Sequence, residues 1–216
     1  MSDNPNQQAA WLLERVGYVT ASQFKHLVTR KKPTAAQAKA GEPGDYTAAR
    51  DTYKWQLITE RLTGRATEHY VNPAMQWGID QEGFARAEFV NRMRLMVDLV
   101  GFIKHPTLMC GASPDGVING GDALVEFKCP TTNTHLQTIM DGMDPMHMPQ
   151  LQGQMWMTGA KEVYFCSYDP RLPRGMDFFV DRIDRDQAFI DTLEAEVRKF
   201  LAEIDETIAK LQEKAK

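Results

Sequence analysis

Three residues near the middle of the chain could together do metal-assisted chemistry on a phosphate ester. Asp115 sits in Ser113-Pro114-Asp115-Gly116, a turn by composition, and ten residues separate it from Glu126-Phe127-Lys128-Cys129-Pro130. Side chains two apart on a strand point to one face, so Glu126 and Lys128 would project together. Two carboxylates there offer the oxygen ligands that a hard divalent cation takes. A lysine beside them can polarise an attacking water or offset the charge that builds on phosphorus. The same short pattern also arises on ordinary surface hairpins, so its weight depends on the rest of the chain.

Composition describes a globular protein. With 216 residues, 43% hydrophobic and 25% charged, the chain can bury one sizeable core, and a single domain over residues 1–216 is expected. No apolar run approaches the roughly 18 residues of a membrane span, and the polar start Met1 to Gln8 reads as no signal peptide. Cys110, Cys129 and Cys166 form no CxxC pair, which argues against a zinc or disulfide framework and for a reducing compartment. A net charge of −4 counts mildly against a nucleic-acid partner. It does not exclude one, because metal-binding acids lower the total while Lys25, His26, Arg30, Lys31 and Lys32 cluster within eight positions. His26, His69, His105, His135 and His147 match no ligand spacing and read as structural or surface residues. The methionines at 140, 143, 146, 148, 155 and 157 read as core filling.

Hydrophobic periodicity supplies the elements that would position these residues. A first helix is expected from about Asn4, with Pro5 in its first turn, to Gly17. Thr20-Ala21-Ser22-Gln23 has the spacing of a capping box and predicts a helix to about Val28, with Ser22 in its first turn near free amides. Lys31 to Asp45 reads as a mobile loop. Helices follow from Tyr46 to Leu62 and from about Ala74 to Met93, the second carrying Glu82 on a defined face with Ile79 and Arg86. Short strands are expected at Val97 to Ile103 and Thr107 to Cys110, feeding a strand from Leu124 to Cys129. Beyond it lie a helix at Pro145 to Thr158, strands at Val163 to Tyr168 and Asp177 to Asp181, and a long helix from Asp186 to about Lys214. Its stripe of Phe189, Leu193, Val197, Phe200, Ile204, Ile208 and Leu211 should pack on the body. The fold class is therefore α/β or α+β: a small mixed central sheet flanked by helices, with a long C-terminal helix.

Taken in order, several blocks resemble the phage lambda exonuclease family, the YqaJ-like viral recombination nucleases. They are Arg15 with Tyr18-Val19-Thr20-Ala21-Ser22, Trp77-Gly78 followed by Glu82, and Ala112-Ser113-Pro114-Asp115-Gly116. The order continues with Glu126-Phe127-Lys128-Cys129-Pro130, Gln150-Leu151-Gln152, Met155-Trp156 and Tyr168-Asp169-Pro170-Arg171. The resemblance spans roughly residues 10 to 210. It implies a PD-(D/E)xK nuclease core that degrades one strand of linear duplex DNA from its 5′-phosphorylated end, leaving a 3′ overhang for phage recombination. Such enzymes use magnesium, with two ions expected here and manganese also suited to an oxygen-rich site. They commonly form a homotrimeric ring, act with a single-strand annealing protein, and work in the bacterial cytoplasm.

The resemblance also implies roles. Asp115 and Glu126 match the metal-binding acids, Lys128 the active-site lysine, and Glu82 a further acid brought to the metal by its helix. Gln150 lies next to the catalytic centre, and Arg15, Ser22, Ser113 and Gln150 match a pocket for the 5′-phosphate. An arginine fork, two hydroxyls and an amide can satisfy several phosphate oxygens. Met75 matches an apolar residue that wedges into the duplex end. The stretch from Lys31 to Asp45 and the sequence Asn72-Pro73-Ala74 depart from the family pattern in the parts that grip duplex. Two alternatives remain open: a structure-specific endonuclease of the same fold, and a catalytically silent scaffold that binds DNA ends.

Overall fold

The computed structural model describes residues 13–67 and 71–216. In chain order β1 (Val19–Thr20) leads through a tight turn of 3₁₀ helix at Ala21–Gln23 into α1 (Phe24–Val28), followed by α2 (Ala35–Ala40), α3 (Ala48–Thr63) and α4 (Pro73–Met93). Next come β2 (Ile103–Lys104), β3 (Cys110–Ala112), β4 (Gly116–Ile118) and β5 (Ala123–Lys128). Then follow α5 (Thr132–Asp141), α6 (Met148–Thr158), β6 (Glu162–Tyr168), β7 (Phe178–Asp184) and the long α7 (Gln187–Lys214).

Two small sheets result. One has the order β1-β3-β2 and the other β4-β5-β6-β7, in which β5 and β6 run parallel and the outer pairs antiparallel. A parallel pair needs a long crossover, and α5 with α6 supplies it. Alternation along β5 divides its work. Ala123, Val125 and Phe127 face a core shared with Ala85 and Phe89 of α4. Leu124 faces the opposite core, with Leu151 and Met155 of α6 and Val163 and Phe165 of β6. Glu126 and Lys128 follow on that second face, the one α6 covers.

A third cluster joins Val19, Phe24, Leu27, Tyr53 and Leu57 to Leu193, Val197, Phe200 and Ile204 of α7. The apolar stripe expected on the last helix is thus buried from Ile190 to Ile204, whereas Leu211 is exposed beyond the body.

Several expectations are corrected. The helix expected to end at Gly17 lies largely outside the described residues, and Gly17 itself turns the chain with φ +73°. The helix expected to reach about Val28 is there, but Thr20 at its start makes no side-chain capping bond: its backbone pairs with Gly111 of β3 and its N–H donates to the Tyr53 hydroxyl. Ser22 accordingly lies in the 3₁₀ turn, its hydroxyl 3.3 Å from that of Thr20. The stretch from Lys31 to Asp45 holds α2, started by a reciprocal Thr34–Gln37 capping box and closed at its base by a bridge between Arg30 and Tyr46. The expected strand from Val97 to Ile103 is divided between the sheets, Asp98 bridging Val117 and Ile103 pairing with Ala112. Thr107 and Leu108 direct their N–H groups to His105 Nδ1, so that run makes a turn and β3 begins only at Cys110. Helix α5 was missed, although Thr131 caps its start and Gly142 ends it.

Candidate active site

Asp115 lies in the turn between β3 and β4. Gly116 is required beside it, since a Cβ there would come within 2.1 Å of Val97 Cγ1. The packed turn directs Asp115 Oδ2 to accept the Phe127 N–H at 2.7 Å, which fixes this acid against β5. Glu126 is buried and carries three hydrogen bonds. Its Oε1 accepts from Lys128 Nζ and from Gln150 Nε2, each at 2.5 Å, and its Oε2 accepts from Gln154 Nε2 at 2.6 Å. Gln150 Oε1 in turn accepts from Lys128 Nζ at 3.3 Å. Glu82 reaches the site from α4 and pairs with Arg86 one turn later, at 3.1 Å.

The electrostatics bind these groups into one unit. Burial, then the Glu126 carboxylate, raise Asp115 well above the ordinary carboxyl range, and Glu82 adds to the effect. The Lys128 ammonium and the Phe127 N–H act against that shift. Burial disfavours the charged form of Lys128, but Glu126 and Asp115 outweigh it and hold its proton more tightly than usual. Three carboxylates around one lysine leave surplus negative charge, which adds to burial in raising the proton affinity of Asp115.

That donor set fits a hard divalent cation. Magnesium characteristically takes one or two carboxylates and fills its shell with water, and Asp115 and Glu126 are such a pair. Among the described residues no three His, Cys, Asp or Glu side chains form a closed cage, so Glu82 contributes charge through the Arg86-paired side chain of its helix. Of the sequence-predicted site residues, Asp115, Glu126, Lys128, Glu82 and Gln150 are brought together.

The residues expected to hold a phosphate divide. A cleft of about 160 Å³ is lined by Arg15, Tyr18, Thr20, Ser22, Tyr53, Gln56 and Glu60 among others. Its turn is pinned to α3. The buried Glu60 accepts the Gly17 N–H at 2.9 Å, and Arg61 Nε donates to the Gly17 carbonyl at 3.0 Å. A side chain at Gly17 would meet Arg61 Cγ at 2.8 Å, so glycine serves both the turn and the contact. Burial lowers the Arg15 guanidinium to about 10, with Asp115 the largest opposing influence, so Arg15 stays charged at neutral pH beside the acid cluster. Ser22 is exposed at the cleft wall. The Ser113 hydroxyl, two residues before Asp115, is buried and has no hydrogen-bond partner among the described residues. Gln150 belongs with the acids, both halves of its amide being engaged by Glu126 and Lys128.

Met75 stands exposed in the first turn of α4, where the Asn72 side chain caps its N–H. It precedes Glu82 by seven positions, so the two share a helix face about 10 Å apart along the axis.

Sequence reasoning missed two neighbours of the centre. Gln154 binds Glu126 from one turn beyond Gln150, and the i, i+4 spacing was its available signal. His147 precedes α6 with its ring centroid 5.2 Å from that of Phe165, the residue of β6 in register with Glu126. Burial and the nearby Lys128 lower its pKa. His135 is wholly structural, contacting Ser167 Oγ at 2.7 Å and the Met176 carbonyl at 2.9 Å, while His69 lies outside the described residues.

The model of the YqaJ-like viral recombinase domain matches residues 10–161. The crystal structure of the alkaline exonuclease LHK-Exo from Laribacter hongkongensis is 40% identical, with a TM-score of 0.84 over 95% of this chain and 97% of that one. A second structure of LHK-Exo, in complex with dAMP, matches to the same degree. A phage related exonuclease from Haemophilus somnus 129PT shares the fold at 15% identity, with a TM-score of 0.70 over 90% of this chain and 96% of that one. The putative uncharacterized protein ExoD of Escherichia coli K12 is 33% identical over 66 residues, which are 30% of this chain and 74% of ExoD. With the family model matched over residues 10–161 and the fold shared with a 40% identical exonuclease, the chain belongs to the YqaJ-like viral recombinase family.

Proposed function

We propose that this protein is a divalent-cation-dependent 5′-to-3′ exonuclease that removes one strand of linear duplex DNA and leaves a 3′ overhang for recombination by strand annealing. The family and the alkaline exonuclease relative support a nuclease. One observation supports the finer reading: the cleft that Arg15 lines lies beside the acid cluster, close enough for Asp115 to act on the Arg15 charge. An enzyme that cuts within a strand has no need of a second anion site at that position, whereas one that advances from a phosphorylated end does.

In this reading Asp115 and Glu126 would hold magnesium, or manganese, with Glu82 adding charge for a second ion. The bound metal would supply Lewis acidity and a water of lowered pKa. Lys128 stabilises negative charge on the reacting phosphate, and Gln150 holds both Lys128 and Glu126 in place. Arg15, Ser22 and Ser113 receive the terminal 5′-phosphate, and Met75 meets the duplex end. A homotrimeric ring and a phage annealing protein as partner belong to the same reading. No helix among the described residues is long and apolar enough to cross a membrane.

The test is digestion of a linear duplex that carries a 5′-phosphate and separate labels at the two ends of one strand, with and without magnesium. The expected result is metal-dependent loss of the 5′ label first, the complementary strand staying full length. Release from the 3′ end, or cutting of a closed circular duplex, would overturn the polarity or the exonuclease assignment. Tight end binding without cleavage would make the protein a scaffold.

A further inference from the structure

The geometry points to Gln154 as a positioning residue that, by binding Oε2, fixes the orientation of the Glu126 carboxylate for the cation, an inference that rests on the metal-dependent reading above. Gln150 and Gln154 lie one turn apart on α6 and grip the same carboxylate from its two sides. Gln150 donates to Oε1, which Lys128 also occupies, and Gln154 alone donates to Oε2. Gln154 is 1% exposed and cannot touch a nucleic acid, so any influence on the reaction passes through Glu126.

Two features argue against simple packing. First, Gln154 Oε1 is buried with no hydrogen-bond partner among the described residues. An apolar side chain of similar size would fill that space without burying an unsatisfied acceptor, which is unfavourable. Second, the amide has one workable orientation: reversed, it would set a carbonyl oxygen against a carboxylate oxygen. The side chain therefore accepts a poor environment for one end so that the other can donate to Glu126.

Gln152, between them, has a different task. Its Nε2 donates to the Asp184 carbonyl and its Oε1 accepts the Asp186 N–H, each at 2.9 Å, which ties α6 to the start of α7. Of the three glutamines Gln152 is fully satisfied and structural, and Gln150 stands beside the reacting groups. Gln154 sits behind the carboxylate, where groups that orient a metal ligand are found.

The experiment uses the full chain and two substitutions, Gln154→Met and Gln154→Glu. Methionine keeps the volume and removes the amide, while glutamate keeps the shape and the Oε1 acceptor but loses the donor. Thermal unfolding without divalent ions, manganese binding read from the spin-resonance signal of free Mn²⁺, and the magnesium midpoint of exonuclease turnover are measured together. The expected result is a folded methionine variant, less stable without divalent ions because Glu126 Oε2 loses its donor, with manganese affinity weakened about tenfold and the magnesium midpoint raised in parallel. The glutamate variant should also turn over more slowly, since its ionised side chain offers Glu126 no donor. Manganese affinity and magnesium midpoint within twofold of wild type in Gln154→Met would overturn the inference, and so would wild-type behaviour of Gln154→Glu if the methionine variant failed to fold. Wild-type protein that neither binds manganese nor responds to magnesium would instead bring down the metal-dependent reading, and this inference with it.

Discussion

Gly153 offers the sharpest test of how α6 is seated, because two effects of opposite sign act on one methyl group. In a helix interior, glycine to alanine gains about 0.8–1.0 kcal/mol from backbone propensity. At this position the new Cβ would lie 2.5 Å from Phe24 Cδ2 and 2.6 Å from Cε2, with Ala21 Cβ at 3.5 Å. Carbon atoms in good contact sit at about 3.5–4.0 Å, so the overlap is about 1 Å. Phe24 cannot swing away, being fully buried and tilted against Trp156. Overpacking of this kind costs about 1–3 kcal/mol, which meets or exceeds the propensity gain. The net expectation for Gly153→Ala is destabilisation of up to about 2 kcal/mol, and for a chain of this length each kcal/mol lowers Tm by about 2–4 °C. Activity should fall further than stability, since Gln150 and Gln154 flank the point of strain and hold Glu126. Denaturant unfolding and steady-state turnover measure the two effects, and adding Phe24→Leu should recover part of each. If Gly153→Ala proved more stable than wild type, the close approach of α6 to Phe24 would be refuted and the seating of both glutamines with it.

Three other outcomes follow from the site. Lys128→Ala should slow single-turnover cleavage by about 10²-fold or more while duplex binding survives, and unchanged turnover would remove Lys128 from the chemistry. Arg15→Ala should erase the preference for 5′-phosphorylated over 5′-hydroxyl ends in paired digestions; a ratio like that of wild type would place the phosphate elsewhere. In chelator-treated protein Asp115 binds its proton more tightly when folded than unfolded, because burial and Glu126 raise its pKa. Its stabilising contribution is therefore full below the ordinary carboxyl pKa and is lost as pH rises through the raised value. Asp115→Asn keeps an acceptor for the Phe127 N–H and removes the charge, so its Tm should hold up better than wild type above that window, and parallel Tm–pH curves would refute the coupling.

What the sequence disclosed, and what it withheld, divides along physical lines. Glu126 and Lys128 were legible because strand alternation is strict and one face of β5 had to carry both. The long helices were legible for a related reason: α7 repeats its apolar spacing over many turns, and α4 and α7 start at the side-chain caps Asn72 and Asp186. The segment from Leu95 to Ala112 was not, because its hydrogen bonds go to two different sheets and to the His105 ring, which no local pattern encodes. Ser22 was placed in a helix on a capping pattern that lost to tertiary structure, where a parallel pair with β3 and the Tyr53 hydroxyl claimed the Thr20 backbone. Gln150 was placed near both the acids and the phosphate, and the hydrogen bonds assign it to the acids. Gln154 escaped notice because a buried glutamine resembles any other polar residue until its partner is known.

The net charge of −4 also resolves once the ion pairs are located. Many acids are matched to arginines that hold elements together: Arg30 with Glu196, Arg50 with Glu203, Arg61 with Asp205, Arg92 with Asp177 and Arg171 with Asp169. Arg30 is therefore a brace, stacked on Tyr46 and bonded to α7, and not the free phosphate contact that its basic neighbourhood suggested. Among the described residues Lys25, Lys31 and Lys32 take part in no ion pair, and the latter two are exposed. The brace fixes the point from which those lysines extend, since the bridge between Arg30 and Tyr46 closes the base of the segment that carries α2. Charge that is matched in pairs contributes little field at a distance, whereas lysines outside such pairs act on a polyanion directly. A negative total is thus compatible with a DNA substrate, because part of it lies at Asp115, Glu126 and Glu82, which outnumber Lys128 and would be offset by the divalent cation proposed for the site.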